Sequence, residues 1–172
     1  MSRRELVVDC SFATGDAVPS PRLLRRWADA ALGTRGAGRE LALQTVGPQR
    51  MRALNRRFRG KDKSTNVLAF PAPVVVGGGA GPLPLGDVVI CPAVLRREAR
   101  EQGKAERAHW AHLVVHGALH LAGYDHEDDA DATRMERREI AVLKRLGFPN
   151  PYRAGAEHQH GTRETPLRGA AR

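Results

Sequence analysis

The sequence predicts an α+β fold in which a small mixed sheet of about four strands packs with about five helices. Short apolar runs alternate along the chain with longer segments of helical periodicity, and glycine or proline marks most of the boundaries. With 172 residues the chain is long enough for one domain with its own core. We expect this single domain over residues 1–149, followed by a disordered polar tail over residues 150–172.

The elements follow from these boundaries in chain order. Strands are predicted where aliphatic and β-branched residues cluster, at residues 5–10, 40–46, 66–70 and 87–91. Helices are predicted at residues 20–32, 48–58, 92–102, 104–122 and 128–146. The first helix starts at Ser20 and Pro21, a capping serine before a proline whose fixed φ suits the first helical position. Residues 73–84 contain a glycine-rich stretch that we expect to be a loop.

The helix predicted at residues 104–122 is apolar on nearly every side between Trp110 and Leu121. A helix that is apolar all round is a buried helix. Its polar side chains are mainly histidines within a narrow arc, and buried polar groups need partners. These histidines are His109, His112, His116 and His120. A metal ion would supply such a partner.

Residues 116–126 carry the spacing of a metal site. His116 and His120 lie about 40° apart around the helix, one turn from each other. Gly123 ends the helix, because glycine adopts the left-handed conformation without steric cost, and the chain can then bring His126 back. Three protein ligands with an open fourth position are typical of catalytic zinc. We predict one Zn²⁺ per chain, bound by His116, His120 and His126.

The spacing H-x3-H-x2-G-x2-H also occurs in metzincin proteases, so this segment is a metzincin-like zinc helix. Those enzymes carry a glutamate base directly after the first histidine, and here Gly117 takes that place. His112 and His116 share the same spacing of four, but the glycine and the third histidine fit the later pair better. We expect His112 to support the site or to be a hydrogen-bonded core residue, and His109 to be solvated.

The charge of the chain favours a polyanionic partner. The formal net charge is +9 and the pI is about 10.7. Seven of the cations lie in one predicted helix and the turn after it: Arg50, Arg52, Arg56, Arg57, Arg59, Lys61 and Lys63. Arginine clusters bind phosphate groups, although such a cluster can also be a solvated surface. Aromatic residues make up only 5% of the chain, so base stacking is not the expected main source of affinity.

The segment HGALHLAGYDH at residues 116–126 closely resembles the signature of YbeY-type proteins, bacterial endoribonucleases of rRNA maturation. Residues 52–71 and 85–90 resemble that family's helix, basic turn and strands, and the resemblance covers about residues 5–148. It implies that Arg59, in a Phe-Arg-Gly turn, faces the zinc site and contributes to activity. The family's strand often reads Thr-Asp-Val-Leu-Ser-Phe, so this chain departs from it at Asn66 and Ala69.

The resemblance implies a zinc-dependent, single-strand-specific endoribonuclease in rRNA processing, ribosome maturation and quality control. Arg59, His116 and His120 would take part in the reaction. The expected partners are an rRNA precursor and the ribosomal subunit or ribosome-associated proteins. Residues expected to hold the RNA backbone are Arg52, Arg56, Arg57, Lys61 and Lys63. Two alternatives stay open: a zinc hydrolase of a non-RNA substrate such as a peptide, and a non-catalytic ribosome-assembly factor with structural zinc.

The sequence leaves the general base open between zinc hydroxide, the 2′-hydroxyl of the substrate and another side chain. Asp125, with Asp87 as a weaker choice, is a candidate to orient a ligand imidazole. The chain has no run of about ~18 apolar residues, so no membrane span is expected. The N-terminus lacks the apolar stretch of a signal peptide, and the expected location is therefore cytoplasmic.

Overall fold

The computed structural model describes residues 4–74, 79–124 and 128–153. Over these residues the chain forms four strands and five α-helices, as the sequence predicts. The strands are β1 (Val7–Phe12), β2 (Arg39–Thr45), β3 (Val67–Pro71) and β4 (Leu83–Ile90). The helices are α1 (Pro21–Leu32), α2 (Pro48–Arg59), α3 (Pro92–Glu101), α4 (Glu106–Leu121) and α5 (Asp129–Arg145), with a short 3-10 helix (Gly33–Gly36) after α1.

The four strands form one mixed sheet in the order β1-β2-β4-β3. The first three in this order are parallel, and β3 runs antiparallel to β4. The predicted loop over residues 73–84 extends two residues too far, because Leu83 and Pro84 already pair with β2. The register of the pairing between β2 and β4 shifts between Glu40 and Leu41, as at a β-bulge, and the pairing continues on both sides of the shift. Strand β1 lies two residues later than the predicted 5–10.

Helices pack against both faces of the sheet. Successive side chains of a strand point to opposite sides, so each strand contributes to both layers. Ala69 and Val88 face the main core, which also contains α4. Leu68 and Val89 face the other side, where they pack with Met51 of α2. The histidine helix and the arginine-rich helix therefore cover opposite faces of the same strands. No helix within the described residues is long and apolar enough to cross a membrane.

Helix α4 is buried along most of its length, as its composition predicts. Gly117 sets its distance from the sheet. A Cβ atom at this position would lie 2.7 Å from Cγ1 and 3.0 Å from Cγ2 of Val88. Only glycine therefore lets the helix backbone approach β4 this closely, and the side of α4 at Gly117 is closed by the sheet.

The prediction that His109 is solvated is wrong, because α3 packs against this side of α4. His109 is 1% exposed, and its Nε2 lies 2.9 Å from Oε2 of Glu98 in α3. The same oxygen accepts a 2.9 Å hydrogen bond from Nδ2 of Asn66, directly before β3. The carboxylate of Glu98 thus joins α3, α4 and the start of β3. This contact explains why asparagine suits position 66, where the family's strand often has aspartate.

The described part of the chain also continues past the predicted boundary at residue 150. Asn150 accepts a 2.9 Å hydrogen bond from the backbone N–H of Tyr152, and Pro151 is buried. The hydroxyl of Tyr152 donates to Glu139 in α5. The boundary predicted from the polar composition is therefore too early, because Tyr152 contacts the buried Glu139. The remaining residues of the predicted tail, 154–172, lie outside the described part of the chain.

Replacing Gly117 with alanine should lower the free energy of unfolding by about 1–3 kcal/mol, because the added methyl group overlaps Val88. Helix propensity alone predicts the opposite, a gain of about 1 kcal/mol. Urea unfolding of the variant decides between them. In the double variant Gly117→Ala/Val88→Ala the space is restored, and the combined loss should be smaller than the sum of the single losses. A stabilised Gly117→Ala protein would contradict the packing interpretation.

Asn66→Asp should destabilise the protein at neutral pH by about 1–3 kcal/mol, because it sets a second carboxylate against Glu98. Like charge raises the pKa of one carboxyl in the folded state, so the folded protein binds more protons than the unfolded chain. The loss should therefore shrink as the pH falls toward the ordinary carboxyl pKa of about 4. Adding Glu98→Gln should restore stability at neutral pH. A loss that is independent of pH would count against this contact.

A candidate metal centre on helix α4

Three histidines line the side of α4 that faces α5. His112, His116 and His120 are all buried, and their ring centroids follow one another at 6.5 and 6.3 Å. The interval of four residues places each ring one turn after the previous one, as predicted. His116 and His120 are thus adjacent on one side of the helix, which is the arrangement a shared ligand needs.

A carboxylate from α5 lies behind this row. Oε1 of Glu139 is 2.5 Å from Nδ1 of His116, and Oε2 is 2.9 Å from Nε2 of His112. The hydroxyl of Tyr152 also donates to Oε2. Glu139 is 1% exposed, so a buried carboxylate meets all three groups without bulk water.

The protonation states in this cluster follow from burial and charge. Burial by itself would raise the pKa of Glu139, but the electrostatic attraction of His116 and the hydrogen bonds from both histidines hold it well below its usual range. The pKa of His112 is lowered, chiefly by burial, although the hydrogen bond and charge of Glu139 act to raise it. Burial and the neighbouring carboxylate raise the pKa of Tyr152, so its hydroxyl keeps its proton and donates. Glu139 is therefore an ionised acceptor beside a neutral His112.

The chemistry of the pair fits zinc. Neutral imidazole nitrogen is a common zinc ligand, and a ligating histidine usually has its second ring nitrogen bonded to a carboxylate or carbonyl. His116 meets Glu139 through Nδ1, so Nε2 is the nitrogen through which it can bind a metal. Over residues 4–74, 79–124 and 128–153, no group of three or more His, Cys, Asp or Glu side chains could hold a metal ion. The third ligand stays a prediction, because His126 lies outside the described residues.

The carboxylate that orients His116 is not one that the sequence named. Asp125 lies outside the described residues, and Asp87 is a residue of β4. Glu139 could have been found from its own helix. It shares one side of α5 with Met135, Val142 and Leu143, all of them buried. A glutamate in such an apolar stripe is almost never fully buried unless it is paired, and the histidines of the preceding helix were candidate partners.

Arg59 differs from the other cations of its segment. It is the last residue of α2 and is half-buried, whereas the remaining predicted RNA-binding residues are exposed: Arg52, Arg56, Arg57, Lys61 and Lys63. Burial lowers the pKa of Arg59, but a guanidinium remains charged at any physiological pH. Arg52 also differs from the rest, because it forms a two-point ion pair with Asp62 at 2.9 and 3.0 Å. Part of its charge is therefore already neutralised.

The last residues of α2, which include Arg59, and the last residues of α4 lie at the same end of the sheet. Phe58, the neighbour of Arg59, packs edge-on against Phe70 near the end of β3, with ring centroids 5.1 Å apart. Gly86 of β4 pairs with this end of β3, and a Cβ atom there would lie 2.9 Å from Cδ2 of Leu121. The ends of α2 and α4 thus approach the same part of β3 and β4 from opposite faces.

A cavity of about 280 Å³ opens directly after α4. The guanidinium of Arg35 lies 5.0 Å from the ring centroid of Tyr124 in its wall. The cavity is lined by Arg35, Ala122, Gly123, Tyr124, Asp131 and Arg134. Cationic and aromatic groups therefore border the chain that leads from His120 toward residue 126.

Comparison with known proteins gives consistent matches over this region. The model of the family described as Endoribonuclease YbeY matches residues 20–147. A Halorhodospira halophila protein named Endoribonuclease YbeY is 47% identical over 149 residues, which cover 86% of this chain and 97% of that protein. A Methylococcus capsulatus protein of the same name is 52% identical over 141 residues, covering 82% and 91% of the two chains.

A solved structure shares the fold. The solution structure of TM1509 from Thermotoga maritima matches with a TM-score of 0.57 and 25% identity, over 81% of this chain and 89% of that one. The family match spans the arginine-rich helix, all of β3 and β4, and the histidine helix with its supporting glutamate. On the extent of these matches, the chain belongs to the endoribonuclease YbeY family.

Proposed function

We propose that this protein is a zinc-dependent endoribonuclease that cleaves single-stranded RNA during rRNA processing, ribosome maturation and quality control in the cytoplasm. The observation that carries the proposal is the buried pair His116 and His120 with Glu139 behind it. This pair lies in a chain whose relatives are named Endoribonuclease YbeY. The proposed zinc ligands are His116, His120 and His126.

Each residue has a distinct task in the proposed reaction. When bound, zinc supplies Lewis-acid chemistry that polarises an oxygen of the substrate or of water. His116 and His120 present imidazole nitrogens from a buried helix, which keeps their positions fixed. Arg59 neutralises charge that gathers on the phosphate during cleavage, and its partial burial strengthens that attraction.

Binding of the RNA strand is assigned to the exposed cations of the same segment. Arg56, Arg57, Lys61 and Lys63 are exposed next to Arg59, and each can neutralise a backbone phosphate. Arg52 should contribute less, because Asp62 already pairs with it. The cavity bordered by Arg35, Tyr124 and Arg134 offers further cationic and stacking groups near the end of α4. The proposed partners are an rRNA precursor and the ribosomal subunit or its associated proteins.

Two observations count against the alternatives. A peptide hydrolase of the metzincin type needs a base directly after the first histidine, but Gly117 lies there against Val88 with no room for a side chain. A structural zinc usually has four protein ligands. His112, one candidate for a fourth ligand, contacts Glu139 through Nε2, so it could reach a metal only through Nδ1, whereas His116 would bind through Nε2.

Removing the metal should abolish cleavage. We expect purified protein to contain about one zinc per chain and to cleave single-stranded RNA, and a chelator should stop the reaction until zinc is restored. His120→Ala should lose zinc and activity together, and it serves as the control for contaminating nuclease. His112→Ala, whose ring is one turn farther along, should keep most of its zinc. Equal zinc loss in both variants would contradict this choice of ligands.

Arg59→Ala should keep its zinc but lower kcat for RNA cleavage by roughly 10²- to 10³-fold, because one charged group facing the transition state is lost. Arg57→Ala is the matched control: it removes an exposed arginine from the same helix end and should mainly raise KM. Metal analysis and steady-state kinetics on one RNA measure both effects. Similar kinetic defects in the two variants would remove Arg59 from the reaction and leave it as part of the binding surface.

A further inference from the structure

We infer that Glu139 is a positioning residue that fixes the ring protons of His112 and His116, and so keeps Nε2 of His116 in the unprotonated form that can bind a metal. This inference deepens the proposed function and rests on it for the identity of the metal. It concerns a contact between three buried side chains, one from α5 and two from α4.

The inference follows from counting donors and acceptors. An ionised carboxylate can only accept hydrogen bonds. At 2.5 Å from Oε1, Nδ1 of His116 must therefore carry a proton, and a neutral ring then has no proton on Nε2. The same reasoning puts the proton of His112 on Nε2. Two neighbouring histidines of one helix thus hold opposite tautomers because one carboxylate lies between them.

The third donor makes this arrangement directional. Tyr152 and His112 both donate to Oε2, whereas Oε1 meets His116. The two oxygens of Glu139 are therefore not equivalent. Glu139 is held in place by its apolar neighbours on α5 and by Tyr152, so the carboxylate cannot turn away from the histidines without burying an unpaired charge.

Glu139→Gln tests the proton count with almost no change of shape. A glutamine has one accepting oxygen and one donating NH₂ group. With its oxygen at the Oε2 position it satisfies both His112 and Tyr152, and the NH₂ group then faces Nδ1 of His116. His116 must accept that hydrogen bond, so its proton moves to Nε2, the nitrogen that would bind the metal. The substitution thus predicts a switch at one histidine and none at the other.

The first measurement needs no variant and no metal. In metal-free wild-type protein with ¹⁵N-labelled histidine, the ring-nitrogen NMR shifts at a pH where the rings are neutral should show His116 protonated on Nδ1 and His112 on Nε2. In Glu139→Gln, His116 should be protonated on Nε2 while His112 is unchanged. If wild-type His116 carries its proton on Nε2, or keeps it on Nδ1 in the variant, the inference is overturned.

The second measurement is affinity for zinc alone, determined by competition with a chelator. Glu139→Gln should bind zinc roughly 10- to 100-fold more weakly than wild type, the usual effect of losing a carboxylate behind a ligating histidine. Glu98→Gln is the matched control, because Glu98 makes the same kind of contact with His109 on the same helix. Its zinc affinity should stay within about twofold of wild type.

An equal loss of affinity in Glu98→Gln and Glu139→Gln would overturn the inference, because it would reflect general loosening of α4. So would an unchanged affinity in Glu139→Gln. Failure of the proposed function would give a different experimental result. A wild-type protein that binds zinc but cleaves no RNA would refute the nuclease proposal and leave the tautomers, and their effect on affinity, as inferred here.

Discussion

The buried carboxylate of Glu139 is the constraint on which the histidine side of the molecule depends. Moving an ion of this kind out of water costs several kcal/mol even after the protein relaxes, so the charge is tolerated only where its oxygens are fully hydrogen-bonded. His112, His116 and Tyr152 provide those bonds from two directions. The same contacts tie α5 and the segment after it to α4. Stability and the geometry of the candidate metal site therefore share one set of hydrogen bonds.

The opposite side of α4 is constrained by packing rather than by charge. Gly117 lies against Val88 so closely that a single methyl group would overlap, and this contact sets how near the histidine helix lies to the sheet. It also removes the position from which a metzincin-type base would act. The difference from that protease chemistry is thus built into the core. A glutamate could enter only if α4 moved away from β4, and that movement would disturb the neighbouring histidines.

Within the described residues, the sequence was sufficient for the order and type of the four strands and five α-helices, because glycine, proline and apolar periodicity mark them locally. It was also sufficient for placing His116 and His120 together on α4, since a spacing of four is a property of any helix. Glu139, which is 23 positions from His116, was missed because its partner comes from another helix. His109 was misjudged for the same reason, and Tyr152 was lost in a polar tail. These errors concern polar groups whose burial depends on tertiary contacts.

The cations of α2 and the following turn differ in how strongly solvent and salt screen their charge. The exposed cations of α2 and the following turn act through solvent, where salt screens them beyond about 8–10 Å, so they favour encounter with an RNA strand. Arg59 is half-buried, and its charge is less screened. Phe58 and Phe70 place it at the end of the sheet that α4 also reaches. In the proposed function, attraction of the strand and stabilisation of the reacting phosphate are therefore assigned to different residues, although all of these cations come from one short segment. The edge-on contact between Phe58 and Phe70 holds the end of α2, where Arg59 lies, against this end of β3.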